Sequence, residues 1–125
     1  MTDDPKKAYG KLFDLIKEIY ILNSTMALLD WDEKINIPKG GVEHRGNQLA
    51  YLAGLRHEKF TLPEIGDLLK QLEGSSLISD PDSFEAANVR EIKHSYDKLV
   101  KIPKSLVEEL TRVTTLAHGV WAEAR

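Results

Sequence analysis

The four histidines of the chain, His44, His57, His94 and His118, come first as candidates for chemistry, because imidazoles three or four positions apart on a helix can share a metal ion. No two of them stand at that spacing. His57-Glu58 opens the letters of a zinc-protease helix, but the position owed the second histidine is Thr61. Glu91-x-x-His94 is half of a carboxylate-bridged di-metal pattern, and the chain has no second copy to complete it. Surface or capping roles are expected for the histidines. Asp30, Asp32 and Glu33 form an acidic cluster, yet a calcium loop needs a further oxygen ligand and then a glycine where Lys34 and Ile35 stand. Gly40-Gly41 is followed by no lysine-serine or lysine-threonine pair that would cradle a phosphate, and no serine is placed with a histidine and a carboxylate. The residues by themselves offer no catalytic group and no metal site. Trp31, inside the acidic cluster, has two readings. It is either a large aromatic that closes the end of a helical bundle and buries ~150–250 Å², or a residue lining a cleft. The first is expected, and with it a cost of ~3–5 kcal/mol for Trp31→Ala.

The elements that must position these residues are drawn from 125 residues, a length that suits one helical domain, residues 1–125, better than two separate cores. Hydrophobic residues at 42% and charged residues at 30% describe a chain that can bury a core and stay in water, so disorder and membrane insertion are both excluded as classes. Twenty acidic against 17 basic residues leave a net charge of −3 with the basic residues scattered, which argues against a nucleic-acid partner. There is no cysteine, hence no disulfide framework and no thiolate metal site, as in a reducing compartment. The N-terminus has no apolar segment of a secretory signal. A cytoplasmic protein is expected.

The patterning is helical throughout. Leu12, Leu15, Ile19, Leu22, Met26 and Leu29 recur in steps of three and four, and Asp4-Pro5 reads as an N-cap followed by a proline at the first helical position. The spacing predicts a helix from Pro5 to about Asp30. Trp31–Gly41 then reads as a loop, broken by Pro38 and the paired glycines. A second helix is expected over Val42–Phe60. Thr61, Pro63 and Glu64 spell a capping box for a short third helix, about Leu62 to Leu72. Asp80-Pro81 repeats the cap-then-proline signal for a fourth helix, about Pro81 to Lys101, with Val89, Ile92, Tyr96 and Leu99 on one face. After Pro103 a fifth helix places Leu106, Leu110, Val113, Leu116, Val120 and Trp121 on one side, with Glu108 and Arg112 as an outward pair. Gly54, Gly66 and Gly119, costly inside helices, mark expected close crossings. The fold class is all-α, a bundle of about five antiparallel helices. The last helix carries no stop signal and reads as cut rather than finished.

Taken together, the unusual residues resemble a known family. Leu28-Leu29-Asp30-Trp31-Asp32, then Pro38, Gly40 and Gly41, then Arg45-x-x-Gln48-Leu49-Ala50-x-Leu52-Ala53-Gly54-Leu55-x-His57-Glu58-Lys59 resemble the N-terminal region of the carboxypeptidase Taq family. The likeness continues through Pro63-Glu64-x-Gly66-x-Leu68-Leu69, Asn88-x-Arg90-Glu91-Ile92-x-x-x-Tyr96-Asp97-Lys98, Ile102-Pro103 with Leu106-Val107-Glu108-Glu109-Leu110, and Trp121-Ala122-Glu123-Ala124-Arg125. It implies a helical zinc- or cobalt-dependent exopeptidase that removes C-terminal residues from peptides. The family's members are much longer, and their metal ligands lie on a later H-E-x-x-H helix and a downstream glutamate, neither of which is in this chain. The resemblance therefore makes the chain the helical part that covers the catalytic region and helps wall the substrate groove, with Trp31, Asp32 and Arg45 as the groove candidates. Lys34-Ile35 and Ile37-Pro38 depart from the family's glutamate-threonine and methionine-proline pairs, and Lys93-His94 from its arginines.

The partners implied are a C-terminal catalytic region, and peptide substrate only in the full-length enzyme. No cofactor belongs to this chain itself, and isolated it is expected neither to bind zinc or cobalt nor to hydrolyse peptides. A homodimer or larger assembly is expected through the apolar end of the fifth helix, around Leu116, Val120 and Trp121. The alternative from another class is a stand-alone helical interaction or dimerisation module without enzymatic activity.

Overall fold

The computed structural model describes residues 4–124, and among these the regular structure is all helical: α1 (Pro5–Ile35), α2 (Val42–Phe60), α3 (Pro63–Glu73), α4 (Phe84–Leu99) and α5 (Lys104–Ala124), with single 3₁₀ turns at Lys39–Gly41 and Ser76–Ile78. The all-α class and its five helices are as read from the patterning. Asp4 starts α1 as expected: its side chain accepts from the Lys6 amide at 3.1 Å and its carbonyl from the amides of Lys7 and Ala8.

Three boundaries differ, each for a local reason. α1 does not stop at Asp30 but runs to Ile35, because nothing in Trp31–Ile35 breaks a helix and Lys34 pairs back to Asp30 at 2.9 Å, one turn away. Trp31 and Asp32 thus lie on the helix, and the loop shrinks to the residues around Pro38. At α3 the N-cap is Leu62, not Thr61, and no side chain caps it. Pro63 fixes the first helical position and holds the residue before it extended, so the boundary falls one residue later than the capping-box pattern needs. At α4 the cap is Ser83, whose hydroxyl accepts from the Ala86 amide at 3.1 Å. Asp80 instead closes a turn, accepting from the Asp82 amide at 3.0 Å.

The chain divides into two compact units, Met1–Ile19 with Lys59–Lys101, and Tyr20–Glu58 with Ile102–Arg125. In the first, Leu12, Ile16 and Ile19 of α1 meet Ile65, Leu68, Leu69 and Leu72 of α3 and Val89 of α4, with Leu12, Ile65 and Leu72 sealed completely. The α3–α4 crossing is close at Gly66, where an added Cβ would lie 2.6 Å from the Tyr96 hydroxyl.

In the second unit α2 buries Leu49, Ala50 and Ala53, and α5 packs on it with an unexpected face. Leu106, Leu110, Val113, Leu116, Val120 and Trp121 do share one side, but that side faces solvent. The side turned to α2 carries Glu108, whose side chain lies where a Cβ on Gly54 would be, and Thr115, against Gly46. Thr111 and Thr115 satisfy their hydroxyls on the helix's own carbonyls, Val107 and Thr111, at 2.9 and 3.0 Å, so a polar face can be buried without orphaned donors. Glu108 therefore forms no outward pair with Arg112, which pairs with Glu109 instead. Val42 fills the position of a Gly119 side chain, 2.9 Å from an added Cβ. All three glycine crossings expected from the pattern are present.

Candidate functional site

The candidates of the acidic cluster converge at the end of α1, in the second unit. Arg45 stands in the first turns of α2, where its guanidinium reaches across to α1. Its Nη1 donates to the Leu29 carbonyl at 2.8 Å and to Asp32 Oδ2 at 3.0 Å, while Nε donates to Gln48 Oε1 at 2.9 Å. Leu29 lies inside α1, six residues before its end, so the fork of the guanidinium does not cap the helix but ties its last turns to α2. The Arg45 side chain is 13% exposed and that of Asp32 40% exposed. Asp32 also accepts from the Asn36 side chain, and its carbonyl from the Asn36 amide at 2.8 Å, which closes the helix. Asp32 and Arg45 are brought together, but each is engaged by the other.

Trp31 lies on the opposite account. It is 58% exposed, so it does not close the end of a bundle, and the burial expected of it is not made. The stripe Leu22, Met26, Leu29 continues, at the next step of four, to Glu33 and not to Trp31. Glu33 is accordingly buried, 6% exposed, and lines a groove of about 500 Å³ bounded by Ile37, Val42, Leu116, Val120 and Glu43. Sequence reasoning missed this residue because it ended the helix at Asp30. The signal was present in the period of the stripe, one turn beyond the assumed stop.

Two cations border the groove, and both have partners. The Lys34 ammonium is held above its ordinary pKa by its hydrogen bond to Asp30 and the charge of that carboxylate, with a smaller contribution from Glu33. Lys39 is raised in the same way by Glu123, across the groove. Of the histidines, His57 is buried at 7% exposure inside α2, unlike the surface role expected for it, while His44 and His94 are exposed and His118 stacks on Trp121 at 5.9 Å. Among the described residues no three of histidine, cysteine, aspartate or glutamate gather as metal ligands, so these residues do not fit a zinc or cobalt site. The arrangement is a groove with apolar walls that Glu33 and Glu43 also line. Among the described residues no helix is long and apolar enough to cross a membrane.

Comparison with known proteins adds the following. The family model described as Carboxypeptidase Taq (M32) metallopeptidase matches residues 11–125. Thermostable carboxypeptidase 1 of Thermus thermophilus is 43% identical over 121 residues, which is 97% of this chain and 24% of the relative. Thermostable carboxypeptidase 1 of Pyrococcus furiosus is 27% identical over 87% of this chain and 21% of its own length. Carboxypeptidase 1 of Bacillus subtilis is 26% identical over 92% of this chain and 23% of its own. The chain spans a quarter or less of the length of these relatives.

Proposed function

The chain belongs to the carboxypeptidase Taq metallopeptidase family, and from that membership we propose that it acts as the N-terminal helical portion of a metal-dependent carboxypeptidase that removes C-terminal residues from peptides in the cytoplasm. In this reading it contributes cover and groove wall, and zinc or cobalt is held by a catalytic region outside these residues. One observation carries the reading: a relative named a carboxypeptidase aligns with 97% of this chain while the chain reaches only 24% of that relative. The groove at the end of α1 supports a place in a substrate wall. The experiment adds zinc or cobalt to the dialysed chain and follows release of the C-terminal residue from a blocked dipeptide. No turnover is expected; metal-dependent turnover that survives repurification overturns the proposal.

The solvent-facing stripe of α5 favours a second element of the reading, association of two copies through Leu116, Val120 and Trp121. A contiguous apolar face of this kind is ordinarily covered, and a two-fold pair covers it twice with one patch. Sedimentation equilibrium at micromolar concentration is expected to show a dimer or larger species, and a clean 14.1 kDa monomer refutes it.

A further inference from the structure

α1 carries a second apolar face, on the side away from Leu22, Met26 and Leu29. Ile21, Leu28 and Ile35 stand two turns apart in succession, 65%, 65% and 63% exposed, and Trp31 lies between the last two at 58%. The line they form runs for about 20 Å along the helix. Its polar members are already satisfied. The Ser24 and Thr25 hydroxyls donate to the Ile21 carbonyl at 3.0 and 2.8 Å, and Asp32 is paired with Arg45. Such a face can be covered without orphaning a donor or stripping a lone charge, and a run of large apolar side chains left in water marks a contact surface.

We propose that this face docks on the catalytic region of a carboxypeptidase of the same family, with Ile21, Leu28, Trp31 and Ile35 as the contacts it buries; the proposal rests on the chain's place in such an enzyme. Two observations choose that occupant. The Thermus thermophilus relative aligns with 97% of this chain while only 24% of the relative is matched, so a family enzyme holds most of its length as surface for these helices to meet. The four side chains leave roughly 500 Å² in water, short of the ~800 Å² that each partner of a stable free pair contributes. A contact inside one polypeptide holds at smaller area, because the connection keeps its two sides at high effective concentration. A second copy is served better by the longer stripe of α5, which runs from Leu106 to Trp121.

The test introduces Leu28→Gln and Ile35→Gln together, since glutamine keeps a helix and neither residue lines the groove at the end of α1. The pair is made in the chain alone and in the Thermus thermophilus relative with its matching region replaced by this chain. Alone, the two changes are expected to move Tm by no more than about 2 °C and to leave sedimentation as it was, because both side chains are already in water. In the chimera they are expected to lower Tm by about 5 °C or more, since two apolar side chains are lost from a buried contact. A chimera lowered no more than the chain alone overturns the proposal. So does loss of association in the altered chain, which makes the face an interface between copies, and so does a chimera that fails to fold where the relative folds. Turnover reads the wider assignment separately: an inactive chimera that still melts lower with the two glutamines keeps the docking face and removes the role in the substrate wall.

Discussion

Replacing Arg45 by alanine removes the tie between the last turns of α1 and α2, and the structure sets the size of the effect. Three hydrogen bonds go at once, to the Leu29 carbonyl, Asp32 and Gln48. The contact with Asp32 is screened, since that carboxylate is 40% exposed, and contributes only about 0.2–1 kcal/mol. The contacts with Leu29 and Gln48 are made by a guanidinium that is 13% exposed, so they keep more of the ~1.5–3 kcal/mol of a charge-assisted bond. Allowing for water that replaces part of what is lost, Arg45→Ala is expected to destabilise by about 3 kcal/mol, or roughly 10 °C in Tm for a chain of this size. Arg45→Lys keeps the charge but not the fork, and recovers less than half. Guanidinium chloride unfolding followed by circular dichroism measures all three proteins, and a cycle with Asp32→Ala isolates the ion pair at about 0.5–1 kcal/mol. An Arg45→Ala midpoint indistinguishable from the parent, or a lysine variant as stable as the parent, refutes the tie between α1 and α2.

Trp31→Ala is expected to change stability by no more than about 0.5 kcal/mol, because the ring is mostly in water; a loss near 3 kcal/mol in the same unfolding assay would restore the anchor reading. Ser83→Ala, which removes the acceptor for the Ala86 amide, should cost about 1 kcal/mol, and an unchanged midpoint would place the α4 cap elsewhere. Gly10→Ala in α1 should stabilise by about 1 kcal/mol, since nothing lies within 4 Å of the added methyl; destabilisation in thermal unfolding would show a contact the packing does not predict.

The helices were legible where one pattern dominated its segment. The cap at Asp4, the stripe through Leu12 and Ile19, and the glycines at crossings each have a single local cause, and each is found in the structure. The ends were less legible. Pro63 and Ser83 set boundaries that Thr61 and Asp80 also advertised, and only the backbone geometry decides between adjacent caps. α5 shows a deeper limit: period tells which residues share a face, not which face meets its neighbour, and here the threonine face could be buried because its hydroxyls bond within the helix. Of the candidate site, Asp32 and Arg45 form an ion pair that no spacing in the sequence announces, because they are 13 residues apart on two helices, whereas Glu33 required extending the stripe past Asp30 through a segment rich in charge.

The most direct measurement replaces the matching region of the Thermus thermophilus relative with this chain, in one polypeptide, and assays metal-dependent release of C-terminal residues from blocked peptides. If these helices are cover and groove wall for a catalytic region, the chimera should turn over within about tenfold of its parent, a loss of no more than ~1.4 kcal/mol in transition-state stabilisation. A chimera that folds and holds its metal yet releases nothing would contradict the assignment.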